Sequence, residues 1–173
     1  LIKYRVFIEI QYLIHLSKID ISVFKHVSQK DIKKIEAIYN DLSIQDIKRI
    51  KKIESVTNHD VKAVEYFLKE KFDKLKLGDI KEFIHFGLTS QDINNTASPL
   101  LFKDYLQNYF YPQIKDLLDL LNQLNKQWKN ISMLARTHGQ PATPTKLGKE
   151  ILVFKKRIDT QLKQLTRTPH SAK

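Results

Sequence analysis

An amide, an imidazole and a carboxylate stand side by side in Thr57-Asn58-His59-Asp60, directly before an apolar-periodic run. A helix beginning there puts its free N–H groups and the positive end of its dipole beside those side chains, which suits an anion. The same four residues equally make an ordinary N-cap with a first-turn acid. A second polar stretch, His85-Phe86-Gly87-Leu88-Thr89-Ser90-Gln91-Asp92-Ile93-Asn94-Asn95, places two hydroxyls, Thr89 and Ser90, at another helix start. Thr89 and Asp92 have the spacing of a capping pair, while hydroxyls beside exposed N–H groups also suit a carboxylate or phosphate. The third stretch, Arg136-Thr137-His138-Gly139-Gln140-Pro141-Ala142-Thr143-Pro144-Thr145, lies between two long apolar-periodic segments. It is long for a mere connection, and with His before Gly and two prolines to stiffen it, it reads as a functional loop. An imidazole titrates near neutral pH, so His138 and His59 are the side chains best suited to proton transfer or charge balance.

The composition narrows the chemistry. The chain of 173 residues contains no Cys, which removes disulfides, thiolate zinc sites, iron–sulfur clusters and cysteine nucleophiles, so a nucleophile or base must be His, Ser, Thr, Lys or a carboxylate. Hydrophobic residues make up 42% and charged residues 28%, enough for a packed core and against wholesale disorder. The formal charge of +11 invites a nucleic-acid reading, but 25 of the 30 cations are Lys and five are Arg, whereas bidentate phosphate and base recognition favours Arg. A small polyanionic substrate fits the charge better than nucleic acid does. No run of about 18 uncharged apolar residues is present, and no basic-then-apolar signal segment opens the chain. The sequence therefore reads as soluble and cytoplasmic, with no membrane partner.

The elements that must position these stretches are helices. Ile2, Val6, Ile10, Leu13 and Ile14 recur at threes and fours and predict an opening helix. That helix has no cap, so the chain reads as a piece of something longer. Ser28 to Asp31 and Ser43 to Asp46 look like N-terminal capping signals for two short amphipathic helices. Thr57-Asn58 precedes Val61, Val64, Leu68 and Phe72, predicting a helix that Gly78 ends, and a short helix from Asp79 to Phe86 stops at Gly87. Ser98-Pro99 reads as the cap and first turn of a long helix carrying Leu106, Phe110, Ile114, Leu117, Leu121, Leu124 and Trp128, bent at Pro112. After an irregular stretch from Ile131 to Thr145, a second long helix carries Leu147, Ile151, Phe154, Ile158, Leu162 and Leu165. The expected fold is all-α, with long antiparallel helices near 99–129 and 145–166 and no strand-like alternation. Residues 1–97 read as the end of an N-terminal helical domain, and 98–173 as the start of a central bundle. The long apolar seams imply bundle partners from elsewhere in the chain or from other subunits.

Three blocks taken together, Thr57–Lys71, His85–Ala97 and Ala135–Glu150, resemble the adenylosuccinate lyase family of the fumarase/aspartase superfamily. Each alone is weak, whereas three in one order at compatible spacing are specific. The resemblance runs from Leu1 to about Leu165 but covers only part of such an enzyme. It implies β-elimination of fumarate from adenylosuccinate, giving AMP, and from succinylaminoimidazole carboxamide ribotide. By the same resemblance His138 is the general acid that protonates the departing nitrogen, and His59 aids placement of the substrate and charge balance. Asn58 and Asp60 contact the succinyl and nucleotide groups. Thr89 and Ser90 grip a carboxylate, and Thr137 donates to a substrate oxygen. His85 and Gln140 support the site. The resemblance implies no cofactor and no metal, and a homotetramer whose sites combine residues of three subunits. The family's catalytic base is a serine on a mobile loop that has no counterpart in this sequence. Two other readings stand beside this one: a sister lyase acting on argininosuccinate, fumarate or another succinyl compound, and a non-catalytic basic helical module that binds nucleic acid.

Overall fold

The computed structural model describes residues 1–172. Among the described residues the regular elements are helices apart from one two-stranded hairpin, and the chain divides into two compact units, one formed chiefly by Leu1–Phe102 and the other by Lys103–His170.

The first unit is built around α1 (Ile2–Leu16), whose stripe of Val6, Ile10, Leu13 and Ile14 is buried as the spacing predicts. It packs against α2 (Gln29–Asn40) and α4 (Asp60–Lys74), while α3 (Ile44–Thr57) packs on α4. Ile35, Ile50, Ile53, Val64, Phe67, Leu68 and Phe72 complete the core. Ser28 with Asp31 and Ser43 with Asp46 form full capping boxes, each hydroxyl accepting from the N3 amide and each carboxylate taking the cap N–H. The hydrogen bond from Lys34, with those of Ser28, holds the Asp31 carboxyl down at about 2.

The ends of the elements differ from the sequence expectation. Gly78 does not stop α4. The helix ends at Lys74, with Lys76 left-handed at φ 61°, the Lys76 N–H on Asp73 O at 3.1 Å and the Leu77 N–H on Phe72 O at 2.9 Å, a Schellman closure. Gly78 instead opens a short 3-10 stretch, Gly78–Phe83, shorter than the predicted 79–86 helix because His85 (φ 62°) and Gly87 (φ 69°) both turn left-handed.

The first long helix begins earlier than Ser98-Pro99. Helix α5 (Ser90–Tyr105) starts at the Thr89–Asp92 cap and runs through Pro99, which removes one helical N–H without ending the helix. Where a bend was expected at Pro112, the helix makes a π turn over Leu106–Phe110, with the Tyr111 N–H reaching back to Leu106 O. Pro112 then sits in the first turn of α6 (Tyr111–Trp128), where its missing N–H costs little.

In the second unit α6 pairs with α7 (Leu147–Arg167). The pair is antiparallel, as predicted. Gly148 at the start of α7 abuts Asn125 and Lys129 at the end of α6, and Phe110 and Ile114 share a groove with Ile158, Leu162 and Leu165. The intervening stretch is not an irregular loop. Strands β1 (Ser132–Thr137) and β2 (Gln140–Lys146) pair antiparallel, with Thr137 opposite Gln140 and a register shift between Leu134 and Arg136. His138 (φ 50°) and Gly139 (φ 77°) are the two central residues of the tight turn, which requires positive φ at both.

Candidate functional site

Within the first unit the structure joins the first two polar stretches through α1. The Arg5 guanidinium pairs with Asp60 Oδ2 and donates its Nε–H to Asn94 Oδ1 at 2.8 Å. Asp60 also accepts the Val61 N–H at 2.8 Å. One turn further along α1, Glu9 Oε1 lies 2.6 Å from His85 Nδ1, and Tyr12 donates its hydroxyl to Phe86 O at 2.8 Å. Arg5, Glu9 and Tyr12 thus occupy one face at i, i+4 and i+7, and each holds a residue of a polar stretch.

The local geometry defines what each predicted residue offers. Asn58 is left-handed (φ 50°) and closes α3 by donating its N–H to Glu54 O at 2.8 Å; its exposed carboxamide has no partner among the described residues. His59 is the N-cap of α4, its Nδ1 accepting the Lys62 N–H at 3.1 Å. That lone pair is committed, so the ring carries its proton on Nε2, and the 3.8 Å approach of Asp60 to the same Nδ1 is no ion pair. Asn58 and Asp60 line an open cleft of about 530 Å³ with Lys51, Glu54 and Ser55. Thr89 caps α5 through its N–H on Asp92 Oδ2 at 2.7 Å and its hydroxyl at 3.2 Å. The Ser90 hydroxyl has no partner among the described residues, and the first-turn Asp92 N–H donates back to Thr89 O at 3.1 Å.

Burial governs the Glu9–His85 pair. Glu9 is fully buried and its Oε2 lacks a hydrogen-bond partner among the described residues. Burial raises its carboxyl above the ordinary range, partly offset by the attraction of His85, while Glu65 pushes the same way as burial. Glu65 is itself held by Lys62 at 2.6 Å and Lys69 at 3.3 Å.

The second unit carries the third stretch on its hairpin. Arg136 donates to Gly139 O at 3.2 Å across the turn. Thr137, His138 and Gln140 are exposed, and their side chains make no hydrogen bond among the described residues. An imidazole held on a tight turn with both nitrogens unengaged can exchange a proton with a bound molecule. Among the described residues no three His, Asp or Glu side chains converge as a metal site.

Arg5, Glu9 and Tyr12 were not among the residues singled out from sequence, and Asn94 was named there only as part of the second stretch. The signal was present in α1, where three polar residues at i, i+4 and i+7 run alongside the apolar stripe of Val6, Ile10 and Leu13.

The first unit thus carries paired polar helix starts, and in the second a histidine turn joins two long antiparallel helices. The fold has close counterparts in a fumarate lyase from Mesorhizobium sp. BNC1 (TM-score 0.76, 21% identity, 95% of this chain and 36% of that one) and a β-carboxy-cis,cis-muconate cycloisomerase from Acinetobacter calcoaceticus (TM-score 0.69, 18% identity, 95% of this chain and 37% of that one). A lyase family model matches residues 5–172, and the chain belongs to that lyase family. It is 50% identical over 179 residues to an adenylosuccinate lyase of Dictyostelium discoideum, 41% over 175 residues to one of Vibrio cholerae, and 41% over 174 residues to one of Escherichia coli K12. These matches take in 95–100% of the chain but only 37–38% of each relative, so the chain spans little more than a third of their length.

Proposed function

We propose that this chain is part of an adenylosuccinate lyase, a cytoplasmic enzyme that cleaves a carbon–nitrogen bond and releases fumarate from adenylosuccinate to leave AMP. It does the same to succinylaminoimidazole carboxamide ribotide. The observation that carries this reading is 50% identity along the whole chain to an enzyme of that name. In the reaction a Cβ proton leaves first, the electron pair is held in a doubly charged aci-carboxylate, and the C–N bond then breaks as the nitrogen takes a proton. His138 supplies that proton, and its unengaged ring supports the role. Ser90 donates to the carboxylate oxygens where charge accumulates, Thr89 joins it when its hydroxyl turns from Asp92 to the substrate, and Thr137 donates to a substrate oxygen. The free carboxamide of Asn58 and the Nε2–H of His59 bind the substrate, and Asp60 completes that block while held by Arg5. His85 and Gln140 support the site. The base comes from a part of the protein outside these 173 residues, and the complete site forms in a homotetramer from three subunits.

The test is fumarate release by the full-length protein from adenylosuccinate, with argininosuccinate and malate in parallel. Turnover of adenylosuccinate alone is expected. His138→Ala should lower kcat by about 10²–10⁴-fold with unchanged circular dichroism. Turnover of argininosuccinate instead would overturn the substrate assignment, and full activity of folded His138→Ala would overturn the acid.

A further inference from the structure

Among the described residues Glu9 is the one fully buried acid, and the proposed mechanism leaves it without a task. Its Oε1 lies 2.6 Å from His85 Nδ1, across 76 positions of sequence. His85 adopts φ 62°, a left-handed conformation uncommon for a residue with a side chain, and in that conformation its ring reaches the carboxylate while remaining only 15% exposed. Glu9 Oε2 has no partner among the described residues, so the His85 ring is the group hydrogen-bonded to this carboxyl. The other acid nearby, Glu65, is already balanced by Lys62 and Lys69.

A short contact between these two atoms requires a proton in it, from either side. In both cases Nδ1 is committed and Nε2 is the only ring nitrogen left to face a ligand. We propose that Glu9 is a positioning residue for the lyase reaction: through Nδ1 it fixes the plane of the His85 ring, so that Nε2, carrying a proton, donates to an anionic oxygen of the substrate. The proposal rests on the function proposed above. Glu9 touches no reacting atom and acts wholly through His85.

Two cycles in the full-length protein test it. In the first, Glu9→Gln keeps the shape of the side chain and removes its charge. It should lower kcat/KM by about 10- to 100-fold, by analogy with carboxylates that orient metal-bound histidines. His85→Asn suits the left-handed backbone and retains a donor near Nδ1 but has no Nε2. In the His85→Asn background, adding Glu9→Gln should change kcat/KM by less than about threefold, since coupled groups are not additive. An equal loss in both backgrounds would overturn the proposal, because Glu9 would then act independently of His85. The second cycle needs no activity and stays readable if Glu9→Gln folds poorly. Glu9→Leu should lower the thermal midpoint beside His85 and raise it in the His85→Ala background, where the carboxyl would otherwise stay buried and unpartnered. The same sign in both backgrounds would overturn the pairing. A wild-type protein that shows this reversal yet releases no fumarate would overturn the functional reading while leaving the pair intact.

Discussion

Arg5 bonds to two residues that lie 55 and 89 positions away, Asp60 in the first polar stretch and Asn94 in the second. A planar guanidinium with donors fixed in a fork can serve both at once, whereas an ammonium on a flexible stem meets only one well. Its side chain is 11% exposed, so removing it strands a partly buried Asp60 carboxylate and a carbonyl oxygen of Asn94. Arg5→Met should therefore cost about 1–2 kcal/mol, the lower part of the range for hydrogen bonds to charged groups, because solvent screens the 37% exposed Asp60 carboxylate. Arg5→Lys should recover less than half of that in urea denaturation of the full-length protein; equal stability of Lys and Arg at this position would mean that the fork contributes nothing. At this scale the sequence was legible for residues whose role is local. His59, Thr89 and Asp92 stand where helix starts place them. Arg5 and Glu9 were not legible as site residues, because their meaning lies in partners that only the fold brings near.

Helix starts could be read because a capping box is written within four consecutive residues. Ser28–Asp31 and Ser43–Asp46 announce α2 and α3 in the chain itself. The box also predicts a pH dependence. Asp31 falls from 3.8 to about 2, chiefly through Lys34 and Ser28, so the folded state binds its proton less readily than the unfolded chain does. Stability from such a group is fully present above 3.8 and is lost as pH falls through about 2. Asp31→Asn should accordingly flatten the acid limb of a stability-versus-pH curve between those two values, and an unchanged limb would show that the exposed box contributes nothing. Element ends and turns were harder to read. Lys76 closes α4 in a conformation usually given to Gly, and the turn in the hairpin uses His138 where Asn is the common residue, so neither matches the usual signature. The glycines nearby separate two effects. At Gly139 an added Cβ meets nothing within 4 Å, so Gly139→Ala should cost only the left-handed backbone strain, about 1–2 kcal/mol. At Gly148 a Cβ would lie 2.6 Å from Asn125 O and 2.7 Å from Lys129 Cα, both backbone atoms that must move. Gly148→Ala should therefore be the more damaging in chemical denaturation despite its ordinary helical setting, and the reverse order would mean that α6 and α7 yield freely at this contact.

The paired helices of the second unit leave apolar side chains open to solvent, including Leu120 at 50%, Leu152 at 43% and Phe154 at 57% exposure. In the proposed tetramer these seams are covered by the rest of the bundle. The 173-residue chain produced alone should then self-associate through them, and salt separates that outcome from the reading of a basic nucleic-acid module. A net charge of +11 makes copies repel one another, with a screening length of about 8 Å at physiological ionic strength. Adding salt weakens that repulsion and strengthens apolar contact, so association measured by sedimentation velocity should increase from low to moderate salt. Binding of an oligonucleotide runs the other way, since counterion release weakens with salt. Leu120→Glu with Phe154→Glu should reduce the association while leaving helicity unchanged, because neither side chain lies in a core. Association that falls with salt, or that persists unchanged in the double variant, would mean that these faces do not hold copies together.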